Sequence, residues 1–534
     1  MKKTRINIFI YIAAVLSLLL SGCSGEDTYQ EGTNDAARTT LSLQVNATAY
    51  HSSVGARASD TGTATTFTDG DRLGIIVTHP DNSVEHFVYT YSGYYASWST
   101  SNPAYYDSRD SYAAYYPYRE ALRGKSLADV KSAFTPLSNQ SDYVTGYTLS
   151  DLMTCEKATI GANKSLQITL THEFSMLCMP TGVPVKSKCE DNNTYQYPFP
   201  VTDVIFYIGD TPYRAWVGRD GYARVIVGSN NSNSSNINVK SSYIFQGKRI
   251  ETGATVAAFV PGRYYTVTPP VQDLGDYEFS DARIGDFYCR SSNGSGFILP
   301  REGSSLLNGL NCVGIVFYAG KHESDDSDYS KPLTAGGPCI PKGTNGETQV
   351  HGYVMALTDV NQGGSDRLRW EYKANGDGSY TYNQAVGAST TNSDWKGYSN
   401  QQQFHTFLGT DAGNGWQMSD FPAAYGCELY GTVSAPSWQQ NYAAPSNSSG
   451  WFLPSCGQLG YLYNNRSDLS TRINNIKEVI SDSNIKWFST SSYYWSSSEG
   501  EDYSDRAWRV YFGYGDSYTY YKDLTYDVRA VCAF

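Results

Sequence analysis

Basic residues, histidines and long apolar runs are all scarce in this sequence. Its 534 residues include 40 lysines and arginines against 52 acids, for a formal net charge of -12 at pH 7. A protein that binds nucleic acid is expected to carry a basic stripe, so this deficit argues against a nucleic acid partner. The seven histidines are scattered, and no cysteine lies in the C-x-x-C or Cys/His spacing of a zinc site. We therefore expect no metal site and no cofactor.

Motifs for catalysis are missing as well. The sequence has no Gly-rich phosphate-binding loop, and its carboxylates show no pairing specific to a glycosidase. The acidic loop "HESDDSDY" (322–329) offers enough oxygen atoms for calcium but lacks the EF-hand pattern, and a solvated loop is the alternative. We expect the chain not to be an enzyme.

One apolar run stands out, at the N-terminus. Basic residues precede the apolar residues 6–20, and the run ends in "LSGC" (20–23). This pattern is typical of a signal peptide and is short for a membrane span. Small residues before Cys23 match the lipobox of bacterial lipoproteins, so Cys23 is the expected lipidation site. Residues 1–23 are then the signal peptide and lipobox, and 24–38 a tether; an ordinary secretory signal with an incidental cysteine is the alternative.

Tyrosine and glycine are abundant, and the patterns between turns are mostly those of strands. Residues 41–49, "LSLQVNATA", alternate apolar and polar side chains, as a half-buried strand does. A short helix is expected after Ser126, because Leu127, Val130 and Phe134 share one helical face. Further strands are predicted at 72–77, 111–118, 166–170, 204–209 and 255–260.

Five motifs in the first half then carry a family resemblance. They occur in the order "RASDTGTATTFTDGDRLGI", "YAAYYPY", "SDLM", "LTHEFSML" and "VPGRYYTVT" over residues 57–268. This order resembles the Bacteroidales fimbrillin family, the Mfa-like/FimA-like pilin superfamily. The resemblance implies export as a lipoprotein and two transthyretin-like β-sandwich domains, at 39–185 and 186–275. In pilus subunits of the family, a trypsin-like protease cuts after a basic residue, and a strand from another subunit replaces the removed first strand.

The resemblance suggests a role for Arg57, which lies in a segment rich in Gly, Ala, Ser and Thr. Cleavage between Arg57 and Ala58 would detach the strand at 41–49 together with the lipid on Cys23. The sheet edge left behind would accept a strand from another pilin subunit. Alternatively, Arg57 is an ordinary solvated loop residue. Cleavage at Arg38 is also conceivable, but it would leave the strand in place.

Composition changes near residues 269–288, and eight of the ten tryptophans lie beyond that point. A helix is predicted where Leu469, Ile473, Ile476 and Ile480 recur at helical spacing. The runs "RAWRVYF" (506–512) and "DVRAVCAF" (527–534) alternate as strands, and their pairing would bring Trp508 and the chain end into one core.

Of the ten cysteines, nine follow Cys23, and an odd number cannot all pair within one chain.

The motifs "GWFLP", "YWSSSE", "AWRVYF" and "VRAV" resemble bacterial domains with a C-type-lectin-like fold, placed here at 284–534. The Glu-Pro-Asn, Gln-Pro-Asp and Trp-Asn-Asp motifs of calcium lectins are missing. The predicted fold class is therefore mainly β, with two transthyretin-like β-sandwich domains followed by an α+β C-type-lectin-like domain. Four tyrosines of "GYGDSYTYYKD" (513–523) are the candidate ligand surface: Tyr514, Tyr518, Tyr520 and Tyr521. Alternatively, the alternation of Tyr518 and Tyr520 is that of a hairpin packed on its own sheet.

These patterns together predict a fimbrial tip subunit. It would join other pilin subunits by strand addition, attach to the outer membrane through the precursor's lipid, and present the second module at the cell surface to a host or bacterial glycan or protein. We expect the run 527–534 to complete that module and to leave no strand to donate, which suits a subunit at a terminus. A lipid-anchored pilus anchor and a stand-alone glycan-binding surface lipoprotein are the alternatives.

Overall fold

The computed structural model describes residues 39–52, 65–228, 237–343, 346 and 349–534. This part of the chain is mainly β, as predicted. It divides into two compact units, of which the first comprises the described residues up to 46 together with 67–130 and 154–170, and the second the remainder. Among the described residues, no helix combines the length and apolarity needed to cross a membrane.

The first unit is built on a single sheet in the order β1-β9-β7-β6-β3-β4-β5, with β8 beside β9. The N-terminal strands are β1 (Ser42–Ala47), β2 (His51–Ser52), β3 (Arg72–Thr78), β4 (Val84–Ser92), β5 (Ser97–Ser99), β6 (Ser111–Tyr116), β7 (Met153–Cys155), β8 (Thr159–Ile160) and β9 (Ser165–His172). The interior strand β3 is apolar and buried, whereas β1 lies at the sheet edge and alternates between half-buried and exposed side chains. Of the alternation predicted at 41–49, the part over Ser42–Ala47 is confirmed, and the strand ends before Thr48.

The predicted helix after Ser126 is present as α1 (Leu127–Ala133). The Ser126 hydroxyl accepts a hydrogen bond from the backbone N–H of Asp129 at 3.2 Å and donates one to its carboxylate at 2.7 Å. These bonds satisfy one N–H that the first helical turn leaves without an intrahelical partner. Val130 and Phe134 are both buried, as the helical spacing predicts.

The second unit begins with three sheets, in the orders β15-β16-β10-β19-β2, β12-β11-β20 and β14-β13-β17-β18. The strands that follow β9 are β10 (Ser175–Pro180), β11 (Gly182–Cys189), β12 (Thr194–Pro200), β13 (Thr202–Ile208), β14 (Thr211–Arg214), β15 (Trp216–Val217), β16 (Tyr222–Val227), β17 (Ile237–Phe245), β18 (Lys248–Val256), β19 (Arg263–Thr266) and β20 (Gln272–Tyr277). Leu177, Phe206 and Tyr243 are fully buried in the core between them.

The strand predicted at 255–260 is wrong. β18 ends at Val256, and the chain then turns through Pro261 and Gly262 before β19 begins. Gly262 has a φ of 71°, a backbone conformation that glycine adopts without steric cost. Phe259 is nevertheless buried, so the apolar pattern reflects packing of a loop side chain.

The C-terminal part of the second unit contains α-helices as well as strands. Its strands are β21 (Phe287–Arg290), β22 (Gly296–Leu299), β23 (Asn311–Ala319), β24 (Gly352–Ala356), β25 (Arg367–Arg369), β26 (Lys373–Ala374), β27 (Tyr380–Thr381), β28 (Tyr493–Glu499), β29 (Arg506–Tyr511), β30 (Ser517–Tyr521), β31 (Thr525–Asp527) and β32 (Val531–Ala533). Its helices are α2 (Gly397–Leu408), α3 (Pro422–Leu429), α4 (Cys456–Asn464) and α5 (Arg466–Val479). Two five-stranded sheets dominate, β22-β21-β23-β24-β32 and β25-β31-β28-β29-β30.

The helix predicted around 469–480 is confirmed as α5, with Leu469, Ile473 and Ile476 buried. The predicted pairing of the runs 506–512 and 527–534 is wrong, because β29 and β32 belong to different sheets. Their apolar side chains still meet in one core, which includes Val510 and Phe534.

The nine cysteines after Cys23 are all free thiols.

A buried ionic network joins the loop at 384–388 to the end of β28 and to residues that follow β25 and β30. The Lys522 ammonium lies 2.8 Å from Glu499 and 3.4 Å from Glu371, and none of the three side chains is more than 6% exposed. The Glu499 carboxylate accepts hydrogen bonds from the backbone N–H groups of Val386, Gly387 and Ala388 at 3.0 to 3.1 Å. The network therefore fixes an irregular loop against β28.

Contacts also connect the earlier sheets of the second unit with its C-terminal part. The Glu190 carboxylate accepts the backbone N–H of Ile298 at 3.1 Å, and the rings of Tyr195 and Phe297 stack at 5.6 Å. β11 runs across residue 185, one of the predicted domain limits. The domain limits at 185, 275 and 284 stay predictions.

Glu190 should make stability depend on pH. Burial raises the pKa of this carboxyl from 4.5 to about 7, and its buried Oε1 atom has no hydrogen-bond partner among the described residues. Between about pH 4.5 and pH 7 the folded chain retains a proton that the unfolded chain has lost, so stability falls as pH rises through this interval.

We expect Glu190→Gln to make the free energy of unfolding less dependent on pH between about pH 4.5 and pH 7, and to stabilise the protein above about pH 7. Denaturant unfolding at several pH values measures the effect, with the exposed Glu251→Gln as the matched control. An unchanged slope in Glu190→Gln would contradict the assignment.

Candidate functional site

Three predicted functional residues lie outside the described part of the chain: Cys23, Arg57 and Ala58. The structure therefore bears on strand removal only through residues 39–52, which precede Arg57. These residues are called the edge segment below. What the edge segment contacts decides what its removal would uncover.

In the first unit, the edge segment lies along the outside of the sheet. The Leu41 N–H donates to the Ala104 carbonyl and the Tyr106 N–H to the Thr39 carbonyl, each at 2.9 Å. β1 then follows as the outermost strand, hydrogen-bonded to β9. Removal of the segment would leave the outer backbone groups of β9 without strand partners.

In the second unit, the end of the edge segment again takes an outermost position. β2 pairs in parallel with β19, and the His51 N–H donates to the Gly262 carbonyl at 2.9 Å. β19 in turn pairs in parallel with β10. Removal of the segment would therefore make β19 an open edge.

Tyr50 anchors the segment beside these backbone contacts. It is 2% exposed, its hydroxyl donates to Asp151 at 2.6 Å, and its ring stacks on His172 at 3.8 Å. His172 lies 2.9 Å from Asp151 through Nδ1 and 2.8 Å from the Thr48 carbonyl through Nε2. Burial lowers the pKa of His172 and the Asp151 carboxylate raises it, with a net upward shift. The segment thus covers a buried polar pair as well as an edge.

The second candidate site lies on the hairpin of β29 and β30. Arg509 is directly opposite Tyr518 in this pairing and opposite Trp495 of β28 on the other side. Val510 and Phe512 point to the core, so the alternation of a strand places Arg509 on the other face of the sheet.

Three tyrosine rings surround the Arg509 guanidinium. Its Cζ lies 3.7 Å from the centroid of Tyr493, 4.0 Å from Tyr520 and 4.4 Å from Tyr526. Each distance is within the range of a cation–π interaction. This outward surface, formed by Tyr493, Arg509, Tyr518, Tyr520 and Tyr526, is called the tyrosine face below.

The four predicted ligand residues are not all on one surface. Tyr518 and Tyr520 belong to the tyrosine face and are 48% and 39% exposed. Tyr514 lies in the turn of the hairpin, 77% exposed, with its ring 5.6 Å from that of Tyr511. Tyr521 points to the opposite side of β30, where its hydroxyl accepts a hydrogen bond from Arg506 at 3.3 Å.

Sequence reasoning missed Arg509, the residue at the centre of the tyrosine face. A signal was present, because assigning Trp508, Val510 and Phe512 to the core puts Arg509 on the opposite face of the same strand. The contributions of Tyr493 and Tyr526 depend on strand order in the sheet and have no local signature.

The acidic loop at 322–329 is organised by hydrogen bonds. Asp325 is 3% exposed, and its carboxylate accepts hydrogen bonds from the hydroxyls of Tyr329 and Tyr353, each at 2.7 Å. Asp326 forms an ion pair with Lys396 at 2.7 Å. Within the part of the chain that the structure describes, no three His, Cys, Asp or Glu residues are grouped to hold a metal ion.

A cleft of about 660 Å³ lies elsewhere in the C-terminal part. Trp438 and Tyr442 line it together with Asp482, which accepts the Tyr442 hydroxyl at 2.5 Å. An indole beside polar groups could also contact a sugar, so this cleft is an alternative place for a ligand.

No family model matches the sequence. A curated relative from Bacteroides ovatus, named "Putative fimbrium tip subunit Fim1C", is 26% identical over 529 residues, which cover 91% of this chain and 92% of that protein. The resemblance to fimbrial subunits is confirmed.

Two solved structures are also similar. A fimbrial protein from Bacteroides ovatus is 21% identical, covers 93% of this chain and 100% of its own, and superposes with a TM-score of 0.36. A "putative cell adhesion protein" from Bacteroides uniformis is 16% identical, covers 44% of this chain and 94% of its own, and has a TM-score of 0.27. At these scores neither superposition establishes a shared fold.

Two places in the described chain therefore have the geometry of a binding site. The edge segment occupies sheet edges that could pair with another strand. The tyrosine face presents exposed aromatic rings around a cation. The first suits assembly and the second suits ligand recognition.

Proposed function

We propose that this chain is a fimbrial tip subunit that attaches the cell surface to a glycan or protein ligand. In this proposal, two transthyretin-like β-sandwich domains join the chain to the fimbria, and the C-type-lectin-like part presents the ligand surface. The observation that carries the proposal is the similarity, over 91% of the chain, to a protein named as a fimbrium tip subunit.

The proposed assembly step is strand exchange. Cleavage after Arg57 would release the edge segment with the lipid on Cys23, and a strand from another pilin subunit would take its place along β9 and β19. The outermost positions of β1 and β2 support this step, because a replacement strand needs an edge with unpaired backbone groups. Buried Leu41 and Tyr50 indicate that the replacement must also fill apolar space.

A pilus anchor is the second candidate, supported by the lipobox at 20–23. An anchor would keep Cys23 acylated in the outer membrane and would lie at the base of the fibre. The distinction between the two candidates is therefore one of position along the fibre.

Immunogold labelling of fimbriae attached to cells tests this position. With an antibody against the C-terminal part, we expect one label at the distal end of each fibre. Labels at the cell-proximal end would support the anchor. Labels along the shaft, or labels on cells whose fimbriae carry none, would contradict both positions.

A further inference from the structure

Arg509 is a buried cation, and among the residues that the structure describes no carboxylate forms an ion pair with it. Its side chain is 7% exposed, and its Nε atom is buried without a hydrogen-bond partner. The groups that act on it electrostatically are the tyrosines at 493, 520 and 526, and burial lowers its pKa. A buried charge without a counter-charge is costly, and the cation–π contacts offset only part of that cost.

We propose that the tyrosine face binds an anionic saccharide, whose acidic group pairs with Arg509 while Tyr518 and Tyr520 contact the sugar ring. The inference rests on the proposed function, for which it names the chemical class of the ligand. A guanidinium has five N–H donors in a planar fork, which suits a carboxylate or a sulfate ester.

The surroundings of Arg509 favour an acid over a neutral group. Arg367 of β25 lies 5.9 Å from the Tyr526 ring, but it is paired in register with Asp527 and donates to the Thr525 carbonyl at 2.8 Å, so Arg509 is the cation that this face offers a ligand. The nearby Asp516 carboxylate accepts a hydrogen bond from the Tyr518 hydroxyl at 3.2 Å. Asp516 lies at the Tyr518 end of the face, so an acidic ligand group would pair with Arg509 beside Tyr493, Tyr520 and Tyr526.

The exposed rings favour a saccharide over an acidic peptide. Tyr518 and Tyr520 are 48% and 39% exposed and project from the same side of the edge strand β30. Each ring offers a flat apolar surface and a hydroxyl, which match the C–H face and the hydroxyl rim of a pyranose. An acidic peptide would pair with Arg509 but would gain little from the two exposed rings.

Binding of defined probes to the purified full mature protein tests the inference by calorimetry. The probes are tetragalacturonate for a carboxylate, a heparin tetrasaccharide for a sulfate, a neutral galactotetraose, and a tetraglutamate peptide. We expect at least one acidic tetrasaccharide to bind about ten-fold or more tighter than the neutral one, because charge-assisted hydrogen bonds contribute that much. The stronger of the two acidic probes identifies the kind of acid.

Two variants locate the site. Arg509→Gln should weaken binding of the acidic probe by about ten- to a hundred-fold and bring it near the neutral one. Arg506→Gln, on the other side of the same strand, is the matched control and should bind as the wild type does. If Arg509→Gln lowers the melting temperature, Tyr520→Ser is tested in its place, because removing this exposed ring from the edge strand leaves the packing of the core intact.

Several results would overturn the inference: no binding of either acidic tetrasaccharide, equal binding of the neutral one, tighter binding of the peptide, or wild-type affinity in a folded Arg509→Gln variant. Loss of binding in Trp438→Ala with Arg509→Gln unaffected would place the ligand in the cleft and overturn it too. If the protein is absent from fibre ends but its saccharide binding depends on Arg509, the proposed tip position is overturned and the ligand inference stands.

Discussion

A chain carrying Arg57→Ala is expected to reach the outer membrane but to stay out of fimbriae. In the proposed strand exchange a trypsin-like protease cuts after Arg57; without this basic residue the edge segment would stay, and β1 and β2 would keep the sheet edges that an incoming strand requires. The amount of this subunit in sheared fimbriae, measured by quantitative immunoblotting, should fall to background. The lipidated precursor should accumulate in the membrane fraction.

Arg38→Ala is the matched control for this experiment. Arg38 also precedes the first strand, but cleavage there would leave the edge segment in place, so this variant should assemble like the wild type. Normal incorporation of Arg57→Ala into fimbriae would contradict strand exchange at this position and make Arg57 an ordinary loop residue.

Lys522→Met is expected to destabilise the second unit by about 3 to 5 kcal/mol, because removal of one partner from a buried ion pair leaves an uncompensated charge. Two glutamates, Glu371 and Glu499, contact this one ammonium. A loss of this size is comparable to the whole stability of a marginal domain. Denaturant unfolding at alkaline pH, where Glu371 is ionised in the wild type, measures it, and Lys477→Met on the exposed side of α5 is the control.

The loss of stability caused by Lys522→Met should become smaller as the pH falls. Burial raises the pKa of Glu371 to about 7 even with the ammonium present, so this carboxyl takes up a proton as the pH falls through that value. The protonated Glu371 is uncharged, so burying it without a cation costs less free energy. A loss of stability that is small at alkaline pH, or that grows as the pH falls, would contradict the assigned network.

Elements whose burial follows a simple period could be predicted from the sequence. β1 alternates side chains with a period of two, and both α1 and α5 bury residues three and four apart. α2 (Gly397–Leu408) escaped prediction because its buried face is partly polar. Asn400 donates to Asp394 at 2.6 Å and Gln401 to the Ala424 carbonyl at 3.0 Å, so hydrogen bonds replace an apolar stripe.

The candidate sites were harder to predict because they depend on residues that are distant in sequence. Tyr50 and Asp151 are 101 residues apart and meet through a single hydrogen bond. Arg509 meets Tyr526 and Tyr493 only because β29, β28 and β31 are neighbours in one sheet. Local patterns place a residue on a face of a strand, but strand order decides what stands beside it.

The N-terminus and intact mass of this protein in sheared wild-type fimbriae test the central claim most directly. Strand exchange predicts a chain that begins at Ala58 and carries no lipid. A fimbria-associated chain that still begins at acylated Cys23 would contradict it.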